Sequence, residues 1–172
     1  GLDPQRIYAT VFAGANGVAK DNTSLEILQE IFSQRGVEPK IGERIFLLPN
    51  NWWQRGDAIG ELGGPDSEIF YYVPNDASKG KGLDLTKNED KFLEIGNSVF
   101  LQYVKKESGW EQMPRQNVDF GGGLERLALV SQGKRDIFET DSFWALIEVL
   151  QQITQKNYLE SPKEEYLLVR QI

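Results

Sequence analysis

The sequence predicts an α+β fold: an antiparallel sheet with flanking helices. Three observations carry that expectation. One amphipathic, helix-length stretch separates the first two strands, the later strands are joined by hairpin-length connections, and the remaining helices gather towards the C-terminal end. The chain has 172 residues, 40% hydrophobic and 11% aromatic, which is enough to build a core and too apolar for a disordered segment.

Ile7 to Phe12 is rich in β-branched and aromatic side chains and reads as the first strand. Thr23-Ser24-Leu25-Glu26 has capping-box spacing, so a helix is expected from there to Gln34, with Gly36 ending it. Its apolar residues Leu25, Ile27, Leu28, Ile31 and Phe32 recur at helical spacing. Glu43 to Leu48 reads as a second strand. Asn50 to Pro65, punctuated by Gly56, Gly60, Gly63 and Gly64, reads as a loop. Ser67 to Val73 is the next expected strand, followed by a polar, exposed and mobile loop from Pro74 to Asp90. Phe92 to Val104 predicts a long strand bulged near Gly96, with Lys106 to Gly109 turning a hairpin. Asn117 to Phe120 is the last strand. A short helix is expected from Leu124 to about Ser131, and a longer one from Thr140-Asp141 to about Gln155. Ser161-Pro162-Lys163-Glu164 carries another helix-start signature close to Ile172, which reads as a truncated chain.

The net charge of −7 argues against a chain that binds nucleic acid by itself. Cysteine and histidine are both absent. That excludes disulfides, Cys/His zinc sites and Cys-His or Ser-His catalytic pairs. A metal ion must be a hard cation on oxygen ligands, such as Mg²⁺, and proton transfer falls to carboxylates, Lys, Tyr or the substrate itself. No secretion signal opens the sequence and no apolar run approaches the roughly 20 residues of a membrane span. The expectation is a cytoplasmic protein with no membrane partner.

The segment Val118-Asp119-Phe120-Gly121-Gly122-Gly123-Leu124-Glu125-Arg126 runs from a strand through glycines into a helix with an arginine in its first turn. Such glycines let a flat ring lie against the backbone, and the arginine can fork onto a phosphate. By spacing alone, a tight turn explains the glycines equally well. A dinucleotide fingerprint does not fit, because Arg126 stands where the third glycine would be needed.

This segment resembles motif 3 of the class II aminoacyl-tRNA synthetases, in the alanyl form usually written Val-Asp-Thr-Gly-Met-Gly-Leu-Glu-Arg. Five more blocks follow the same family's order. Tyr8 to Phe12 resembles its Tyr-Val-Thr-Val-Phe, and Asn51-Trp52-Trp53 its Asn-Phe-Trp. Gly64-Pro65-Asp66-Ser67-Glu68-Ile69 resembles its Gly-Pro-Cys-Ser-Glu-Ile. Phe92-Leu93-Glu94-Ile95-Gly96-Asn97-Ser98-Val99-Phe100 resembles its Phe-Leu-Glu-Ile-Trp-Asn-x-Val-Phe, and Phe138-Glu139-Thr140-Asp141-Ser142-Phe143 its Tyr-Asp-Thr-Asp-Leu-Phe.

The resemblance implies roles as well as a partial class II catalytic fold. Residues 1–158 would be the C-terminal half of the catalytic domain, and 159–172 the start of a helical tRNA-recognition region. The substrates would be ATP and alanine, with Mg²⁺ as cofactor and tRNA(Ala) bound mostly by parts outside this chain. Arg126 would be the catalytic group, holding the γ-phosphate of a bent ATP. Gly121 and Gly123 would floor the adenine and substrate pocket, and Asp119 would pair with the α-ammonium of alanine. Trp53 and Val99 would wall a pocket for one methyl group. Glu94 and Asn97 would supply oxygen ligands to Mg²⁺ or its waters on the ATP side. The residues also admit plainer readings: Trp53 and Val99 as core, Glu94 as a solvated strand residue, Asp141 as a helix N-terminal acid. Trp52, Trp110 and Trp144 read as packing.

This chain departs from the family pattern at several positions. Gly96 stands for Trp, Phe120 for Thr, Gly122 for Met and Asp66 for Cys. Nothing resembles motif 1 or motif 2, whose arginine would meet the α-phosphate. The chain alone is therefore expected to be inactive, with an exposed sheet edge open to self-association. The competing readings are a synthetase-like paralogue that does not acylate tRNA and a non-catalytic interaction domain. Retention of Glu94, Asn97, Asp119 and Arg126 together favours the enzyme.

Overall fold

The computed structural model describes residues 1–160. Its contacts gather into two compact units, Gly1–Leu127 and a second from Ala128 onward. The first unit is built on strands β1 (Ile7–Phe12), β2 (Ile45–Leu48), β3 (Trp52–Gln54), β4 (Leu62–Tyr72), β5 (Phe92–Lys106) and β6 (Gly109–Gly121). Helix α1 (Asn22–Gln34) lies between β1 and β2, and α2 (Leu124–Gln132) begins at the unit's end. The sheet runs β2-β1-β4-β5-β6, with β3 paired to β4.

Every pairing is antiparallel except β1 with β2, which is parallel. The expected antiparallel sheet is thus a mixed one. A helix-length crossover such as the one containing α1 returns the chain in the same direction, whereas a hairpin reverses it. The amphipathic face of α1 explains where that helix rests. Leu25 and Phe32, with Leu28 beside them, pack on Ala9, Val11, Val37 and Ile45. Side chains alternate along a strand, so Tyr8, Thr10 and Phe12 turn to the other face of β1. There Tyr8 joins Phe46, Tyr72, Leu85 and Phe92 in a second apolar cluster.

Several boundaries differ from expectation for physical reasons. The cap of α1 is Asp21, not Thr23: the Asp21 carboxylate accepts from Ser24 N–H at 3.0 Å and from Ser24 Oγ at 2.6 Å. A carboxylate at a helix N-terminus also meets the positive end of the helix dipole, which a hydroxyl does not exploit. The expected loop from Asn50 to Pro65 holds β3 and the first part of β4. Gly60 does turn the chain, with a positive φ of 90°, whereas Gly63 and Gly64 lie inside β4 and serve close approach to their neighbours. A Cβ at Gly64 would lie 1.8 Å from the Phe100 carbonyl oxygen. The segment from Pro74 to Asp90 is tied down at Leu85, which is buried in the second cluster, and by 3₁₀ turns at Leu85–Lys87 and Glu89–Lys91.

The hairpin at Lys106–Gly109 forms as expected, but β6 starts at Gly109 rather than Asn117. β6 is the sheet's edge strand and carries exposed apolar side chains, Val118 at 68% and Phe120 at 65% of full exposure. In the second unit, α3 (Asp141–Thr154) has Thr140 at its N-cap and Gln155 in a left-handed conformation at its C-cap, matching the expected bounds. Asp141 sits in its first turn and exchanges hydrogen bonds with Gln132, as a helix N-terminal acid would. The helix expected from Ser161 lies outside the described residues. Among the described residues, no helix is long and apolar enough to cross a membrane.

Candidate functional site

Residues paired directly across two strands share a face of the sheet. Asp66 pairs with Val99, which pairs with Asp119; Glu68 pairs with Asn97, which pairs with Gly121. Trp53 pairs with Gly64, two residues before Asp66 on β4. Strand alternation therefore puts Trp53, Asn97, Val99, Asp119 and Gly121 on one face. Thr10 belongs to the same face, where its hydroxyl donates to Glu68 Oε2 at 2.9 Å. α1 packs on the opposite face, and this one carries the second apolar cluster at Tyr8 and Phe92 beside the polar residues of the site.

Glu94 joins them only through an irregularity. It precedes Asn97 by three residues, and a regular strand would send it to the face of α1. Ile69 pairs with Gly96 but the next residue, Phe70, pairs with Glu94, leaving Ile95 as the extra residue of a β-bulge. The bulge returns Glu94 to the face of Phe70, Glu68 and Asn97. Arg126, in the first turn of α2, reaches back to the same place. Its Nη1 donates to the Glu94 carbonyl at 3.0 Å and to Glu94 Oε2 at 3.3 Å. Arg126 is 47% exposed, so solvent screens this pair and it adds little to stability.

The same face carries a buried polar network. The Asn51 side-chain amide donates to Asp66 Oδ1 at 2.6 Å, Thr10 Oγ1 at 2.8 Å and Glu68 Oε2 at 3.1 Å. Burial pushes the Asp66 carboxyl up to about 6; the Asn51 bond opposes that rise, while the charges of Glu68 and Glu94 add to it. The sequence assigned no role to Thr10, Asn51, Asp66 or Glu68, although all four stand in the blocks shared with the family. Polar side chains at alternate strand positions read as solvent-facing until the strands are assembled. The one local signal was Thr10, a hydroxyl inside an otherwise apolar strand.

The remaining candidates have distinct surroundings. Trp52 is locked in an aromatic cluster with Phe12, Tyr103 and Trp110, which turns its neighbour Trp53 to the open face at 38% exposure. Trp53 is therefore not core. Val99 is buried, at 7% exposure, as the reading of it as core also allowed. Asp119 is exposed, and its carboxylate accepts from Phe120 N–H at 2.9 Å. A side chain at Gly121 would meet nothing within 4 Å, so the surface there is open. At Gly123 the nearest atoms that a Cβ would meet are the methylenes of Arg126, from 3.0 Å.

The oxygens available to a cation are hard ones. Asn97 Oδ1 is buried and accepts no hydrogen bond, and Glu94 shares its carboxylate with Arg126. Among the described residues, no group of three or more Asp, Glu, His or Cys is placed to hold a metal ion. Glu94 and Asn97 carry oxygens of the hard kind that Mg²⁺ takes, two protein ligands at most.

Residues 1–172 match the family model described as tRNA synthetases class II (A). Among curated relatives, the chain is 37% identical to an alanine–tRNA ligase of Treponema pallidum over 166 residues, 92% of this chain and 25% of that protein. It is 32% identical to one of Borrelia hermsii over 169 residues, covering 95% of this chain and 27% of the relative. For one of Porphyromonas gingivalis the identity is 36% over 168 residues, covering 93% and 18%. The chain spans about a quarter or less of the length of each of these relatives.

Proposed function

The chain belongs to the class II tRNA synthetases, and on that premise we propose that it forms part of the catalytic site of an alanine–tRNA ligase. That enzyme would activate alanine with ATP to alanyl-adenylate and pass the alanyl group to tRNA(Ala). The observation that carries this reading is the convergence of Trp53, Glu94, Asn97, Val99, Asp119 and Gly121 on one sheet face, with Arg126 reaching that face from α2.

In the proposed reaction a carboxylate oxygen of alanine attacks the α-phosphorus of ATP, and pyrophosphate leaves. The chain's task is to position the groups and neutralise charge, which needs neither histidine nor cysteine. Asp119, exposed and acidic, is suited to an ammonium group. Trp53 and Val99, on the same sheet face, would wall a pocket for a small apolar side chain. The open backbone at Gly121 admits a flat ring, and at Gly123 the ring would lie beside the Arg126 stem. Arg126 would exchange Glu94 for the γ-phosphate, the segment from Val118 to Arg126 thereby serving as motif 3. Mg²⁺ bound with the nucleotide would neutralise phosphate charge beside Glu94 and Asn97. The division of the chain into catalytic residues 1–158 and a following helical region from 159 belongs to the same proposal, as does self-association of the isolated chain through the β6 edge.

Asp119→Asn in the complete encoded protein tests the amino-acid half of the site. It removes the charge but keeps an acceptor for Phe120 N–H. Losing a charge-assisted bond to the α-ammonium is expected to raise KM for alanine about tenfold or more in ATP–pyrophosphate exchange, with KM for ATP little changed. An unchanged KM for alanine would remove Asp119 from the amino-acid site. The 172-residue chain assayed alone is expected to give no alanine-dependent exchange; robust exchange from it would show that the chain already holds every group the reaction needs.

A further inference from the structure

Phe120 stands out among the residues left over from the site. It pairs with Ser98, so it lies on the face opposite Asn97, Val99, Asp119 and Gly121 and cannot touch a substrate bound there. At 65% exposure it is not a core residue either. Yet the end of its ring meets two glycines. A Cβ on Gly96 would lie 3.0 Å from Phe120 Cε2 and 3.1 Å from Cζ; a Cβ on Gly122 would lie 3.0 Å from Cε1 and 3.1 Å from Cζ. The end of the ring therefore lies against both glycines, close enough that a Cβ at either position would press on it and shift it.

The two glycines occupy telling places. Gly96 sits between Glu94 and Asn97, beside the bulge at Ile95, and Gly122 is the middle residue of Gly121-Gly122-Gly123. Gly122 also lies near the bulge itself, its Cβ position being 3.5 Å from the Ile95 carbonyl oxygen. Gly96 is the diagonal cross-strand neighbour of Phe120, the relation in which an aromatic ring covers a strand glycine. The sequence is consistent with one exchange of volume. The family pattern has Trp and Met at positions 96 and 122 and a small Thr at 120, whereas this chain has two glycines and a ring.

We propose that Phe120 is a positioning residue for the nucleotide side of the site, its ring clamping the glycine segment 121–123 onto the bulge that aims Glu94 and Asn97. The proposal rests on the alanine–tRNA ligase reading. It acts through backbone placement: the ring fixes the glycine floor relative to the oxygen ligands, and loosening it displaces one against the other.

A double-mutant cycle in the complete encoded protein tests it, with Phe120→Ala, Phe120→Tyr, Gly96→Ala and the Gly96→Ala/Phe120→Ala pair. Alanine-dependent ATP–pyrophosphate exchange is read as KM for ATP, KM for alanine and kcat, and thermal melts are run on every variant. Phe120→Ala is expected to raise KM for ATP about tenfold, with a smaller effect on KM for alanine, and Phe120→Tyr to restore it. Gly96→Ala should harm ATP binding when Phe120 is present and be nearly silent when it is alanine, because the added methyl then has no ring to strike. Phe120→Leu replaces Phe120→Ala if the latter is unfolded at the assay temperature. An active wild type whose KM for ATP is indifferent to Phe120→Ala, or a Gly96→Ala effect equal in both backgrounds, overturns the clamp. A wild type without exchange overturns the ligase reading, and the nucleotide role of Phe120 falls with it.

Discussion

Arg126→Ala in the complete encoded protein is expected to lower alanine-dependent ATP–pyrophosphate exchange by roughly thirtyfold to a thousandfold, with little change in folding stability. The size follows from losing a charged hydrogen bond to phosphate in the transition state, about 2–4 kcal/mol. The small stability effect follows from the surroundings of the side chain. Arg126 is 47% exposed and its partners are the Glu94 carbonyl and a carboxylate that is itself 35% exposed. Breaking a solvent-screened pair of that kind leaves no buried charge behind. A melting curve and an exchange assay on the same preparation separate the two effects. Near-normal exchange would remove Arg126 from phosphate binding and the glycine segment from motif 3. A large loss of stability would instead make the Glu94 pair a structural one.

Asp66→Asn is expected to stabilise the folded chain near neutral pH. A carboxyl pushed from its ordinary 3.8 up to about 6 by burial corresponds to about 3 kcal/mol of lost stability once it is ionised. The sign is the reverse of the usual carboxylate. Below about 4 the carboxyl is neutral in both states and nothing is lost. Between about 4 and 6 only the unfolded chain releases the proton, so stability falls as pH rises, and above about 6 the whole penalty is present. Asparagine stays neutral throughout, and its carbonyl can still accept from Asn51. Its amide also brings a donor to a cluster in which Asn51 Oδ1 accepts nothing. The advantage of Asp66→Asn should therefore be large in denaturation at pH 7.5 and shrink at pH 4. An advantage that is constant with pH would mean that Asp66 is not held ionised at a cost.

The first strand and the last described helix were legible in the sequence because their signals are local. Ile7–Phe12 is a run of strand-forming residues, and Thr140-Asp141 marks a helix start; both ends match. The bulge near Gly96 was also legible, since glycine inside a strand pattern is itself a local signal. The same locality misled at Asn50 to Pro65. Gly60 does turn there, but Gly64, read the same way, is a glycine because Phe100 crosses it. The capping box at Thr23 failed for a related reason: two residues upstream, Asp21 offered the helix end a charged acceptor.

By itself, the sequence determined the strands and helices with strong periodicity, the absence of histidine and cysteine chemistry, the family resemblance and the list of candidate side chains. It could not determine which of those side chains face one another. Register decides that, and register is a property of paired strands: a single extra residue at Ile95 moves Glu94 from one face of the sheet to the other. Only the assembled structure brings Arg126 to Glu94 across 32 residues of sequence. Burial is likewise a tertiary quantity, and it is the first cause that raises the Asp66 carboxyl to about 6, within an Asn51 network that no local pattern announced.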